Sequence, residues 1–284
     1  MGSNLARCLS KRSVELGYYN RTRTKAEALA RELGGTVYSS PRELLEKSNL
    51  VVVFLATDEA LREVVLEVVR GGVLSGKVFI NASTVTPMAS LEALEALSTI
   101  GVHYVESPVY GSADEARDCK LISIVACEER VFEEYKNVVE LYSAKVFYVG
   151  KPPKASVLKL ALNNIGLALP AILGESLMLL EAWGVDLESF RKISGEIWFG
   201  QVLERYWPRI LSEKQPRFKV WMAGKDYWYV ASSLKARGLP AAISDALSTA
   251  YYTAASGGYM DKDYPLVAKY YMEQGKRASG TSAQ

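Results

Sequence analysis

Residues 50–57 read LVVVFLAT, an unbroken apolar run with helical patterns on either side. A strand that alternates apolar and polar residues has one face in water. A continuous run belongs to a strand covered by helices on both faces, as in a parallel sheet. The first half of the chain repeats this logic. VELGYYN reads as a strand. TRTKAEALARELG reads as a helix, with Thr24 as N-cap and Gly34 past its end. TVYS is a short strand, and SPRELLEKS a helix entered through Pro41. DEALREVVLEVV (helix), KVFINAST (strand) and MASLEALEALSTIG (helix) follow, and then the strands VHYVESPVY, LISIVACE and KVFYVG. Strands alternating with short helices predict a mainly parallel, doubly wound sheet.

The pattern changes near Lys151-Pro152-Pro153, a hinge-like stretch. ASVLKLALNNIGLALPAILGESLMLLEAWG is helical, with a kink expected at Pro170. LESFRKISGEI, QVLERYWPRIL, WMAGKDYWYVASSLKARG, AAISDALSTAYYTAASGG and PLVAKYYMEQGKR are helical too, and no strand pattern returns. The expected fold is therefore an α/β Rossmann-like dinucleotide-binding domain over residues 1–151, followed by an all-α domain over 152–284. Residues 278–284, ASGTSAQ, read as a disordered tail.

Composition narrows the function. A formal charge of +2, with lysines and arginines scattered among acids, gives no reason to expect nucleic acid. Three cysteines without metal spacing (Cys8, Cys119 and Cys127) fit reduced thiols and a cytoplasmic setting. Cys119 has no basic neighbours beyond Arg117 and Lys120, which argues against a reactive thiol. The single histidine, His103, rules out a His-rich metal site and reads as a partly exposed strand residue. No metal is expected. No apolar run reads as long enough to cross a bilayer, and no membrane partner is expected.

A dinucleotide fold needs glycine at its first strand-to-helix turn, so that the pyrophosphate can reach the helix N-terminus. Gly2 precedes a helix, and the strand VELGYYN follows that helix. The end of such a second strand meets the adenosine ribose. Here it reads Asn20-Arg21-Thr22. An acid there hydrogen-bonds the ribose hydroxyls of NAD and repels the 2′-phosphate of NADP. Asn20 is neutral, Arg21 offers that phosphate a bidentate cation, and Lys25 adds charge nearby. These residues favour NADP, with NAD not excluded; taken alone they also suit a plain polar turn.

Together, the motifs of the chain resemble those of the β-hydroxyacid dehydrogenase family, which includes 3-hydroxyisobutyrate dehydrogenase and the glyoxylate/succinic semialdehyde reductases. The resemblance runs through nearly the whole chain, in order. Met1-Gly2 corresponds to the close of G-x-G-x-M-G, and Tyr19 to Thr22 to Y-N-R-T. Phe54-Leu55-Ala56 resembles the end of the apolar strand that leads into L-P, with Ala for Pro. Ser83-Thr84-Val85-Thr86-Pro87 corresponds to S-T-x-x-P. Glu106-Ser107-Pro108-Val109-Tyr110-Gly111-Ser112 corresponds to D-A-P-V-S-G-G, and Cys119 to a later glycine. Lys159-Leu160-Ala161-Leu162-Asn163 corresponds to K-L-x-x-N, and Phe218 with Lys225-Asp226 to the late F…K-D.

Lys159 and Asn163 lie four apart on one helix face, in an otherwise apolar stretch. Two readings stand on the helix alone. One is a lysine whose ammonium snorkels to water. The other is a proton-transfer lysine whose desolvation favours the neutral amine. The resemblance implies the second, with Lys159 exchanging the proton of the carbonyl oxygen and Asn163 fixing the substrate. It assigns Tyr110, Gly111, Ser112 and Asp226 to the substrate acid and its surroundings. It assigns Gly2, Asn20, Arg21, Thr22, Leu55, Ala56, Thr84, Phe218 and Lys225 to the cofactor. Thr84 also suits a helix N-cap, Phe218 suits core packing equally, and Lys225-Asp226 suits a surface pair. Tyr110 stands where the family has serine, and Ser112 where it has the second glycine. A tyrosine there narrows the pocket or offers its own hydroxyl, and Ser112 takes over the serine's work. Trp198 and Phe199 line a bulkier pocket or fill core.

The resemblance thus implies an NADP-preferring oxidoreductase acting on a short β-hydroxyacid or semialdehyde that carries a carboxylate. The two domains are expected to close over the cofactor, with the active site in the cleft, and the helical domains to pair in a homodimer or homotetramer. An imine reductase-like enzyme is the alternative among enzymes, and Lys159 argues against it. A non-catalytic NADP-binding or chromatin-reading relative is the alternative outside them, opposed by Lys159, Asn163 and Asp226. Because Met1 resembles an internal methionine, the first strand of the fold reads as missing, and the natural chain is expected to begin roughly ten residues earlier, one strand and a turn, with a truncated relative as the alternative. In-frame upstream sequence should then encode an apolar strand ending G-x-G.

Overall fold

The computed structural model describes residues 1–279. Of the tail expected over 278–284, positions 280–284 lie outside the described residues, and Ala278 instead ends the last helix. The chain divides into two compact units, Met1–Leu160 and a second from Ala161 onward.

The first unit alternates. Its elements run α1 (Gly2–Leu9), β1 (Gly17–Tyr18), α2 (Arg23–Leu33), β2 (Thr36–Val37), α3 (Pro41–Lys47), β3 (Leu50–Val53), α4 (Asp58–Val69), β4 (Val78–Asn81), α5 (Pro87–Ser98), β5 (His103–Glu106), β6 (Val109–Tyr110), α6 (Ala113–Arg117), β7 (Leu121–Val125), α7 (Glu129–Glu140), β8 (Ser143–Tyr148) and the start of α8 (Lys154–Gly166). β3, β4 and β5 form a parallel sheet, with Leu50 opposite Val78 and Val78 opposite His103. β1 and β2 pair in parallel as a separate two-stranded sheet, and β6, β7 and β8 form a third sheet. β4 explains the apolar runs: it is buried throughout, with Val78 and Ile80 in one core cluster and Phe79 in another. Successive side chains point to opposite faces, so both layers need apolar partners. The helices of this sheet start on hydroxyl caps. The oxygens of Ser40, Thr57 and Thr86 accept from the N–H groups of Glu43, Ala60 and Ala89 at 3.0, 3.2 and 3.1 Å.

Four expectations need correction here. α7 was not expected: its buried Val131 and Val139 are interleaved with acids, which hide the apolar stripe. VHYVESPVY is two strands, because Pro108 follows β5 with no N–H to donate, and β6 then pairs antiparallel with β7. Helix α2 starts after Thr22 rather than Thr24. Finally, Cys8 and Cys119 are joined by a disulfide (Cα–Cα 5.4 Å) rather than being reduced thiols. Cys119 has φ +57°, a backbone conformation natural to glycine, which the resembling family has at this position. Cys127 stays free, and burial pushes its thiol up to about 12, so it is inert.

The second unit is helical: the end of α8, then α9 (Ala168–Ala182), α10 (Leu187–Gly195), α11 (Gly200–Glu204), α12 (Trp207–Ile210), α13 (Val220–Lys235), α14 (Ala242–Ala254) and α15 (Val267–Ala278). The break expected at Pro170 falls three residues earlier, at Leu167, so that Pro170 sits in the first turn of α9, where its missing N–H costs nothing. QVLERYWPRIL is likewise two short helices, with Pro208 opening the second. α9 packs on α15 through two glycines. A Cβ on Gly174 would meet Ala268 at 2.8 Å, and one on Gly275 the Met178 carbonyl oxygen at 2.5 Å. The run Lys154–Ala182 has a mean hydropathy of 1.6 in its most apolar window and is long enough to cross a bilayer, contrary to expectation. Length and apolarity do not make it a span, since core helices pass the same test, and Lys159 and Asn163 are both buried along it.

Candidate active site

Parallel strands bring their carboxyl ends to one edge of the sheet, where ligands bind in such folds. Beyond β3, the Leu55 N–H donates to Ser83 Oγ at 2.8 Å, while Ala56 is exposed. Beyond β4, the Ser83 N–H donates to Asn81 Oδ1 at 3.0 Å, and Thr84 is half-buried. Thr86, not Thr84, caps α5, and its N–H and hydroxyl also donate to the buried carboxylate of Asp58, at 3.0 and 2.5 Å. Asp58 thereby ties the turn that carries Thr84 to the start of α4.

A buried polar chain runs on from this edge. Asn81 Nδ2 donates to the Tyr104 hydroxyl at 3.0 Å, which lies 2.9 Å from Ser90 Oγ, and Ser90 donates to Glu106. The Glu106 carboxylate also accepts from the Ala155 N–H at 3.0 Å, the Ser156 N–H at 3.4 Å and the Ser156 hydroxyl at 2.5 Å. Ala155 and Ser156 lie in the first turn of α8, whose N–H groups have no partners within the helix. A carboxylate also complements the positive end of the helix dipole. Burial pushes the Glu106 carboxyl above the usual carboxylate range, against the pull of these hydrogen bonds. The helix that carries Lys159 is therefore clamped at its start by the end of β5.

Lys159 is 8% exposed, and its Nζ lies 4.7 Å from the centroid of the Tyr110 ring. Gly111 follows with φ +136°, where a Cβ would meet Leu121 at 2.9 Å, so the turn needs glycine. Ser112 forms a capping box for α6. Its N–H donates to Glu115 Oε2 at 2.7 Å, and its hydroxyl donates to the same oxygen.

In the second unit, Asn163 Nδ2 donates to Asp226 Oδ2 at 2.7 Å, and Asp226 Oδ1 is 3.1 Å from Lys225 Nζ. Lys225 Nζ also lies 4.5 Å from the centroid of the Tyr229 ring. All of Asn163, Lys225 and Asp226 are buried, so Lys225-Asp226 is not a surface pair. Phe218 packs edge-on against Tyr264 at 6.0 Å, in the helical core. Trp198 is 89% exposed, whereas Phe199 packs against the core around Trp207.

A nicotinamide dinucleotide fits the residues at the sheet edge. Met1 offers α1 no side-chain cap, Gly2 and Ser3 are exposed at its first turn, and a Cβ on Gly2 would touch only Phe54, at 3.8 Å. The Thr22 N–H donates to Asn20 Oδ1 at 2.9 Å, which shapes the turn after β1. The Arg21 side chain is 90% exposed, and its guanidinium lies 3.9 Å from Glu63. Such a cation can swing to a phosphate at little cost.

Asp58, Asn81, Ser90 and Ser156 were not singled out in the sequence. The signal that points to Ser90 and Ser156 is Glu106 itself, since an acid that closes a buried strand needs donors, whereas Asp58 and Asn81 bond elsewhere and carry no such signal.

Fold and site together define a class, the nicotinamide-dependent oxidoreductases with a Rossmann-like unit and an all-helical one. Residues 1–150 match the family described as the NAD binding domain of 6-phosphogluconate dehydrogenase. Glyoxylate/succinic semialdehyde reductase 1 of Arabidopsis thaliana is 31% identical over 68% of this chain and 67% of its own. The mitochondrial 3-hydroxyisobutyrate dehydrogenase of Drosophila melanogaster is 24% identical over 94% of this chain and 85% of its own. The 3-hydroxyisobutyrate dehydrogenase of Mycobacterium tuberculosis has the same fold, with TM-score 0.79 and 18% identity over 95% of this chain and 94% of that one. The chain belongs to the β-hydroxyacid dehydrogenase family of NAD(P)-dependent oxidoreductases.

Proposed function

We propose that this protein interconverts a short β-hydroxyacid and its semialdehyde with NADP(H), and that Lys159 transfers the proton. The observation that carries the reading is a buried lysine on a clamped helix, beside the loop Tyr110-Gly111-Ser112. Burying a lysine is costly, and Glu106 pins the start of the helix that carries it at Ala155 and Ser156. NADPH, when bound, supplies hydride to the substrate carbonyl carbon. Lys159 Nζ gives its proton to the carbonyl oxygen during reduction and takes the alcohol proton during oxidation. Gly111 shapes the turn that receives the substrate carboxylate. Asn163, held by Asp226, orients the substrate, and Lys225 supports the same buried group. Thr84 and Leu55-Ala56 line the nicotinamide side, and Gly2 the pyrophosphate.

Arg21 supports NADP over NAD, since no acid ends β1. Arg21→Ala is expected to weaken NADPH by roughly 10- to 100-fold, the worth of charge-assisted bonds to one phosphate, and to leave NADH within about twofold. Titration of both cofactors by nicotinamide fluorescence checks this. Equal losses would remove the phosphate role.

A homodimer or homotetramer is supported by Ile165, Ile172 and Leu179. They lie seven residues apart along the helical run and are 71%, 56% and 60% exposed.

A further inference from the structure

We propose that Tyr110 is a positioning residue whose ring face holds the Lys159 ammonium for proton donation, so that its hydroxyl is not what the reaction needs. This rests on the reading of Lys159 given above.

Tyr110 stands where the resemblance places a serine, and Lys159 Nζ sits 4.7 Å from the centroid of its ring. The face of an aromatic ring is negative, so it attracts an ammonium and gives nothing comparable to a neutral amine. A ring here therefore favours the charged, proton-donating state and draws Nζ toward one side of the helix. Tyr110 is itself well anchored. It pairs with Ile122 across β6 and β7, and Gly111 behind it has no room for a Cβ because of Leu121. The lysine is equally fixed, because Glu106 holds the first turn of its helix. Two anchored partners lose little freedom in meeting, so the contact is preorganised. Tyr110 is 43% exposed, so one part of it contacts the buried ammonium while another stays open to solvent. That geometry suits a residue that flanks an entering substrate and steers the lysine behind it.

The test compares Tyr110→Phe, Tyr110→Ala and Tyr110→Ser in NADPH-dependent reduction of a short semialdehyde, with KM, kcat, NADPH affinity and thermal midpoint measured for each. Tyr110→Phe should keep kcat and KM within about twofold of the parent. Tyr110→Ala and Tyr110→Ser should lower kcat roughly 3- to 30-fold, with NADPH affinity unchanged. In a Lys159→Ala background the same changes should have no further effect on rate. A raised KM in Tyr110→Phe would overturn the proposal in favour of a hydroxyl that binds the substrate acid. Unchanged kcat in Tyr110→Ala would overturn it as well, even with Lys159→Ala inactive. If Lys159→Ala keeps full activity, the assignment of Lys159 fails first, and the role of Tyr110 fails with it.

Discussion

Lys159→Ala is expected to lose about 10²- to 10⁴-fold in kcat/KM while NADPH binding stays within about twofold, the range for removing a positioned acid–base group. The split follows from where the lysine sits. Its Nζ is buried against Tyr110, in the loop assigned to the substrate acid, whereas the groups assigned to the pyrophosphate and ribose lie on Gly2 and Arg21. Lys159→Arg is not expected to rescue the rate, because a guanidinium does not give up its proton at neutral pH and its fork is too wide for the same place. The experiment pairs steady-state turnover with a direct NADPH titration. Full turnover in Lys159→Ala would mean that another group moves the proton.

Glu106→Ala is expected to cost about 3 kcal/mol or more of stability, read as a lower urea midpoint at unchanged slope. Two backbone N–H groups and two hydroxyls converge on this carboxylate. Removing it orphans those buried donors at once and releases the start of α8. A rate loss should accompany it, since Lys159 lies one helical turn further on. Because burial raises the Glu106 carboxyl above its ordinary 4.5, the folded state holds this proton at pH values where the unfolded chain has lost it. The contribution of the group to stability is then full below about 4.5 and declines as pH rises through the folded value. The advantage of the parent over Glu106→Gln should accordingly shrink on going from acid to neutral pH. An advantage that grows instead would contradict a raised carboxyl.

The parallel sheet was legible because its signals are local. LVVVFLAT must be covered on both faces, and Pro41 marks the start of α3 within four residues of the end of β2, whereas the cap of α5 is Thr86 and not the Thr84 that the sequence offered. α7 was not legible, because its acids break the stripe that Val131 and Val139 form. Pairings across long stretches of chain left no local trace. Cys8 meets Cys119 over a separation of 111 residues, and Glu106 reaches Ser156 over 50. Lys159 could be picked out as an oddity in an apolar stretch, but nothing in its neighbours points to the aromatic ring of Tyr110. Ser112 read as a stand-in for the family serine, and the structure gives both its N–H and its hydroxyl to Glu115. The capping-box spacing of Ser112 and Glu115 was present in the sequence for that reading.

The proposed reaction is hydride transfer between NADP(H) and a short carboxylate-bearing carbonyl compound. The direct measurement supplies NADPH deuterated at nicotinamide C4 with a panel of short semialdehydes, follows cofactor oxidation, and locates the label by mass spectrometry. Label is expected on the carbinol carbon of the β-hydroxyacid product, with faster turnover on NADPH than on NADH, and Lys159→Ala should slow label transfer by about 10²- to 10⁴-fold. Cofactor binding without label transfer to any member of the panel would contradict it.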